Sequence, residues 1–167
     1  MTLAEFDSKP LTTNADAVAA IKDSTFDALR SYIADGEESR VTKLLNGLWL
    51  SRPAFTKEQM LEAAVDALFP RKGYMRCAAS VTAMKLAKAS GSEPGLQRIV
   101  QERWCSLNER GCNEVVLGLS GYDDVDGWLP VLPSLFESNK SNDVRTALVR
   151  VVNNIVRAKE QIGRAHV

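Results

Sequence analysis

Apolar residues at helical spacing recur along this chain at nearly constant intervals, and no other feature constrains the fold as strongly. Val144, Ala147, Leu148, Val151, Val152 and Ile155 fall at offsets 0, 3, 4, 7, 8 and 11, one continuous stripe on a helix of 3.6 residues per turn. Met75, Ala78, Ala79, Thr82, Ala83 and Leu86 repeat the same six offsets. Val41, Leu44, Leu45, Leu48 and Trp49 repeat the first five, and Cys112, Val115, Val116 and Leu119 the first four. The stripes begin 34, 37 and 32 residues apart. Period-two alternation is nowhere sustained and β-branched residues are scattered, so strands are not expected.

Four further helical segments fill the gaps, at about 15–34 (Val18, Ile21, Leu29, Ile33), 57–69 (Met60, Ala64, Leu68), 93–106 (Leu96, Ile99, Val100, Trp104) and 127–138 (Leu129, Leu132, Leu135, Phe136). Helix-start signals stand at the breaks. Thr56 with Gln59 fits a capping box, and Ser92, Asn108, Asp126 and Ser141 or Asn142 each offer a side-chain oxygen to the unpaired amides of a first turn. Pro53 and Pro70 sit in connections, where a missing amide costs little. Eight short helices alternating at a regular period are the signature of an α-solenoid. A lone hairpin of two amphipathic helices cannot bury both its apolar faces, but stacked hairpins form one continuous core. The expected architecture is all-α, a right-handed α-solenoid of about four hairpins over residues 15–161, after an amino-terminal extension at 1–14.

The last of these hairpins resembles a known family. Trp128-Leu129-Pro130-Val131-Leu132-Pro133-Ser134-Leu135, then Asn142-Asp143-Val144-Arg145 and Ala147-Leu148, is similar to the HEAT repeat. In that family a proline bends the first helix and an Asp–Val–Arg stretch opens the second. The resemblance implies that Asp143 and Arg145 join a polar ladder between adjacent repeats. In the second hairpin Arg76 takes the Arg position, but Tyr74 replaces the Asp. Arg40 and Gly111 occupy the Asp position of the first and third hairpins, and Thr42 and Asn113 the Arg position. One repeat therefore carries the motif and the other three rest on period and pattern. An armadillo type, whose three-helix repeat reads as two in sequence, and an ordinary helical bundle remain the alternatives.

Composition narrows the class. Lys plus Arg and Asp plus Glu are equal at 21 each, without the positive surplus of a nucleic-acid coat. The amino terminus has acids before any apolar run, unlike a secretory signal, and no stretch approaches 18 uninterrupted apolar residues, so no membrane association is expected. Cys77, Cys105 and Cys112 form no CxxC pair and read as reduced thiols of a cytoplasmic, or alternatively nuclear, protein. No glycine-rich phosphate loop is present, and neither cofactor nor small-molecule substrate is expected. Asp123-Asp124-Val125-Asp126-Gly127 resembles a fragment of a calcium loop. The apolar Trp128-Leu129 follows it where further ligands are needed, so an acidic connection is the expectation and no metal is assigned.

The final residues Ile162-Gly163-Arg164-Ala165-His166-Val167 match one reading frame of a common sequencing adapter and are expected to be non-native, the true chain being cut short near 161. His166 is the single histidine. On this reading the segment lacks the means for Ser-His-Asp or Cys-His catalysis and for His-ligated metals.

No catalytic set therefore emerges, and the expected function is non-catalytic: a protein-interaction scaffold, a fragment of a larger HEAT-repeat protein that holds its partners on a concave face. In this fold the second helices line that face. Arg76, Lys85 and Lys88, with Arg145, Arg150 and Arg157, are the candidate partner-binding residues, suited to an acidic peptide or another subunit. The same residues, set against acids that favour the first helices (Asp16, Asp23, Asp27, Glu58, Glu62, Asp66), carry the alternative of a nucleic-acid-binding helical repeat. Trp49, Trp104 and Trp128 lie on or beside apolar stripes and are expected in the core.

Overall fold

Every regular element among the described residues is helical. The computed structural model describes residues 1–72, 76–138 and 140–165, apart from the side chains of residues 162, 163 and 165. Tyr74 and Met75, with His166 and Val167 of the suspect tail, lie outside them. Ten α-helices follow one another: α1 (Leu3–Ser8), α2 (Asn14–Lys22), α3 (Phe26–Asp35), α4 (Glu38–Leu50), α5 (Lys57–Leu68), α6 (Cys77–Ala89), α7 (Glu93–Trp104), α8 (Glu109–Ser120), α9 (Leu132–Glu137) and α10 (Asn142–Ala165). Short 3₁₀ turns at Arg52–Ala54 and Val125–Trp128 precede α5 and α9.

Local chemistry sets the boundaries. The Thr56 hydroxyl accepts the Gln59 amide at 3.1 Å while the Gln59 side chain accepts the Thr56 amide at 2.9 Å, the expected capping box. Asn108 likewise accepts the Gly111 amide at 2.8 Å. Ser92 departs from expectation: its hydroxyl is buried and donates back to the Ala87 carbonyl, closing the end of α6. The segment expected as one helix over 15–34 is two. Ser24 donates its hydroxyl to the Ala20 carbonyl at 2.7 Å, ending α2, and Thr25 accepts the Ala28 amide to start α3. The first fourteen residues are part of the fold: α1 rests on α2 with Phe6 fully buried, and Arg40 donates to the Phe6 and Lys9 carbonyls.

Packing follows a simple rule, in which helices two apart in the chain lie side by side. One row runs α2, α4, α6, α8, α10, and a second runs α3, α5, α7, α9, with α5 and α6 in broad contact between them. Apolar faces meet along both rows in a continuous core. Leu44, Leu45 and Leu48 of α4, Val115, Val116 and Leu119 of α8, and Val144, Leu148 and Val151 of α10 are buried in it. The stripe expected on α6 is rotated. Ala78 is exposed and Thr82 half-buried, while Ser80, Met84 and Ala87 are buried instead. Two glycines mark the closest approaches within the first row. A Cβ at Gly47 would come within 3.0 Å of the Ala17 Cβ on α2, and one at Gly118 within 2.9 Å of the Met84 Cε on α6.

Candidate interaction surface

Of the cations expected on the partner-binding face, Arg76 is placed inside the protein. Only 2% of it is exposed. One guanidinium nitrogen donates to the carbonyls of Ile33 (2.7 Å) and Gly36 (3.1 Å), the other to those of Ala67 (3.0 Å) and Asp66 (3.5 Å). These carbonyls lie at the carboxyl ends of α3 and α5, where the helix dipoles gather negative potential. Burial pulls the Arg76 pKa down, and the nearby charges of Glu114, Glu38 and Asp35 oppose that. The Arg76 amide, just ahead of α6, donates to both carboxylate oxygens of Glu114, at 3.1 and 3.0 Å. Glu114 is itself buried on α8 and also accepts from Ser80. One buried pair of charged residues thus pins four helice ends and flanks from both rows. Glu114 carried no signal in the sequence beyond being an acid inside a strongly apolar stretch, between Cys112 and Val115.

Lys85 and Lys88 are exposed on α6, but each faces an acid of the loop after α8. Lys85 stands 3.6 Å from Asp123, and Lys88 is in direct contact with Asp124. Asp126 in turn pairs with Lys159 of α10 at 3.1 Å. The three acids of the calcium-loop fragment are therefore matched by three lysines. Among the described residues no three metal-ligating side chains converge.

Arg150 and Arg157 project from α10 into solvent and form no ion pair among the described residues. Arg145 is half-buried. It donates to the Ser138 carbonyl at 3.4 Å, and its guanidinium lies 5.9 Å from the centre of the Phe136 ring. Asp143 is exposed and pairs with no described residue, so the polar ladder implied by the family resemblance does not form between Asp143 and Arg145 and a neighbouring hairpin here. Its place is taken by other contacts. Arg30 reaches Asp66 at 2.6 Å, Arg71 reaches Asp35 at 2.9 Å, and the Trp104 indole donates to the Leu135 carbonyl at 2.9 Å. Trp128 donates to Glu93 at 3.0 Å, beside Tyr122, whose pKa is pushed up by burial and by the Glu93 charge. Trp104 and Trp128 are core residues, whereas Trp49 is half-buried with Arg52 stacked 4.2 Å above it.

At the last helices the surface turns apolar. Leu129, Leu132, Pro133 and Phe136 on one side and Leu148, Val149 and Val152 on the other line an open groove of about 380 Å³. Phe136 is 42% exposed, Val149 43%, Val152 38% and Val156 49%, large values for apolar side chains that share one face.

Comparison with protein-family models, with curated proteins and with solved structures finds no match for this chain.

Proposed function

We propose that this chain is a non-catalytic scaffold, a right-handed stack of HEAT-like hairpins that grips a partner protein on the side lined by α4, α6, α8 and α10. The observation that carries this reading is the separation, along the chain, of residues in contact. Arg30 and Asp66 lie 36 residues apart, Asp35 and Arg71 36, Lys88 and Asp124 36, Glu93 and Trp128 35, Trp104 and Ser138 34, Arg76 and Glu114 38, and Glu109 and Ser141 32. The apolar stripes step by 34, 37 and 32 residues. Contact separation and sequence period coincide, as they do when each unit touches mainly the unit before it and the unit after it.

The partner surface is then the solvent side of the row of second helices, where Arg150 and Arg157 hold charge that no described acid neutralises. An acidic peptide or an acidic patch of another subunit suits it. No helix among the described residues is long and apolar enough to cross a membrane. Isotope-labelled protein titrated with an acidic model peptide, such as an oligoglutamate, tests the proposal. Amide shifts are expected to cluster on α8 and α10 and to vanish in the Arg150→Glu/Arg157→Glu variant. Shifts scattered over both rows, or unchanged by that variant, would remove the binding face.

A further inference from the structure

The exposed apolar face of α10 carries a pattern that is complementary to itself. Val149, Val152 and Val156 follow one another at steps of three and four residues, with Arg145 continuing the stripe towards the amino end, the spacing of a two-helix seam. The polar residues at the two ends of this stripe have opposite charge. Arg145 stands before Val149, and Glu160 follows Val156. Turned end over end about a point between Val152 and Asn153, α10 maps Val149 onto Val156 and Arg145 onto Glu160. Each charge lies roughly 11 Å from that point at 1.5 Å per residue, so in an antiparallel pair the two sites fall side by side. Lys159 is held by Asp126, whereas Arg145, half-buried beside Phe136, gives one nitrogen to the Ser138 carbonyl in a long contact and pairs with no acid among the described residues. Phe136, from α9, extends the apolar area beside Val149 and Val152.

We propose that two copies of this chain associate through antiparallel α10 helices, with Val149, Val152 and Val156 forming the centre of the seam and Arg145 of each copy facing Glu160 of the other. A two-fold axis brings one patch against itself, which demands this kind of self-complementarity. Opposite charges at equal distances from the centre reward the antiparallel register and penalise a slipped one. The inference stands apart from the scaffold reading, since it needs only α9 and α10.

Sedimentation equilibrium of the full chain over a wide concentration range is the test, with circular dichroism to verify that each variant is folded. The expected result is a reversible species of twice the 18.3 kDa chain mass. Val152→Glu places four-oxygen negative charge across the axis and is expected to leave monomer only. Glu160→Arg sets Arg against Arg and is expected to weaken association about tenfold, and Arg145→Glu/Glu160→Arg to restore it. Monomer at every concentration would overturn the proposal. A dimer untouched by Val152→Glu, or a double variant no tighter than Glu160→Arg, would overturn it equally.

Discussion

Replacing Arg76 by Met removes the guanidinium while keeping a long apolar side chain, and the structure indicates what is lost. The carbonyls of Ile33, Gly36 and Ala67 each lose a donor at 2.7 to 3.1 Å, and Glu114 is left buried without the compensating positive charge. Hydrogen bonds involving a charged partner contribute about 1.5–3 kcal/mol each, and removing one member of a buried charged network costs about 3–5 kcal/mol. The lower end applies if water reaches the freed carbonyls. With a urea dependence of about 2 kcal/mol/M, the unfolding midpoint should fall by about 2 M. Arg76→Lys keeps the charge but not the fork that spans α3 and α5, and should fall between the two. Glu114→Gln keeps one acceptor for the Arg76 amide and should cost about 1–2 kcal/mol. Because both side chains hold the start of α6, the double variant should lose at least about 0.5 kcal/mol less than the two single losses combined. Urea melts followed by circular dichroism at 222 nm and by tryptophan fluorescence measure the parent chain and all four variants. A midpoint shift under about 0.5 M for Arg76→Met, with the urea dependence unchanged, would refute the claim that this arginine joins the two rows.

Three further outcomes are expected. Gly47→Ala should destabilise by about 1–3 kcal/mol despite alanine's better helix propensity, because the Ala17 backbone and Cβ cannot retreat, whereas Gly118→Ala should cost less, since the flexible Met84 end can move; thermal melts compare them. Asp16 is held down to about 2 by the Lys9 ammonium and then by the Thr13 amide and hydroxyl, so its contribution is present above the ordinary carboxylate range and is lost as pH falls towards 2; carboxyl chemical shifts against pH report the midpoint, and a midpoint near 4 would contradict the Lys9 contact. Duplex DNA or RNA should not be retained even at low salt, because Lys85, Lys88 and Lys159 face Asp123, Asp124 and Asp126 in a chain of zero net charge; salt-sensitive retention in a filter-binding assay would revive the nucleic-acid alternative.

The helical class was legible because Leu, Val and Ile leave no doubt about which side of a helix they want covered. The stripes of α8 and α10 are buried as their spacing predicts, except that Ala147 is half-buried and Val152 faces outward. On α6 the expected Ala79, Ala83 and Leu86 are buried, but Ala78 is exposed and Thr82 half-buried, so the buried face is turned towards Ser80, Met84 and Ala87. Half of the expected stripe's members are alanines, small enough to suit an exposed or a buried face, and α6 has neighbours on several sides. The division of α2 from α3 rests on Ser24, whose hydroxyl donates to the Ala20 carbonyl, and on Thr25, which accepts the Ala28 amide as Thr56 accepts that of Gln59; the apolar spacing continues across the break and hides it. Arg76 shows the limit most clearly. A guanidinium in sequence looks the same whether it meets water or four carbonyls, and those carbonyls come from residues 9 to 43 positions away. The same distance hid Glu114. Arg150 and Arg157 are exposed on α10, and the apolar groove between α9 and α10 had no signal in the sequence beyond the stripe that Val152 belongs to.

Helix α6 touches α4, α5, α7 and α8, while α4 and α8 meet chiefly through it. The amino-terminal and carboxyl-terminal halves therefore meet chiefly through α6, with α5 reaching α7 and α8 beside it. The alanine-rich surface of α6, with Ala79, Ala83 and Ala87 all fully buried, allows close contact on every side but offers few large side chains to lock a register. A change in the packing of α6, or in the Arg76–Glu114 cluster at its start, is therefore felt in both halves at once.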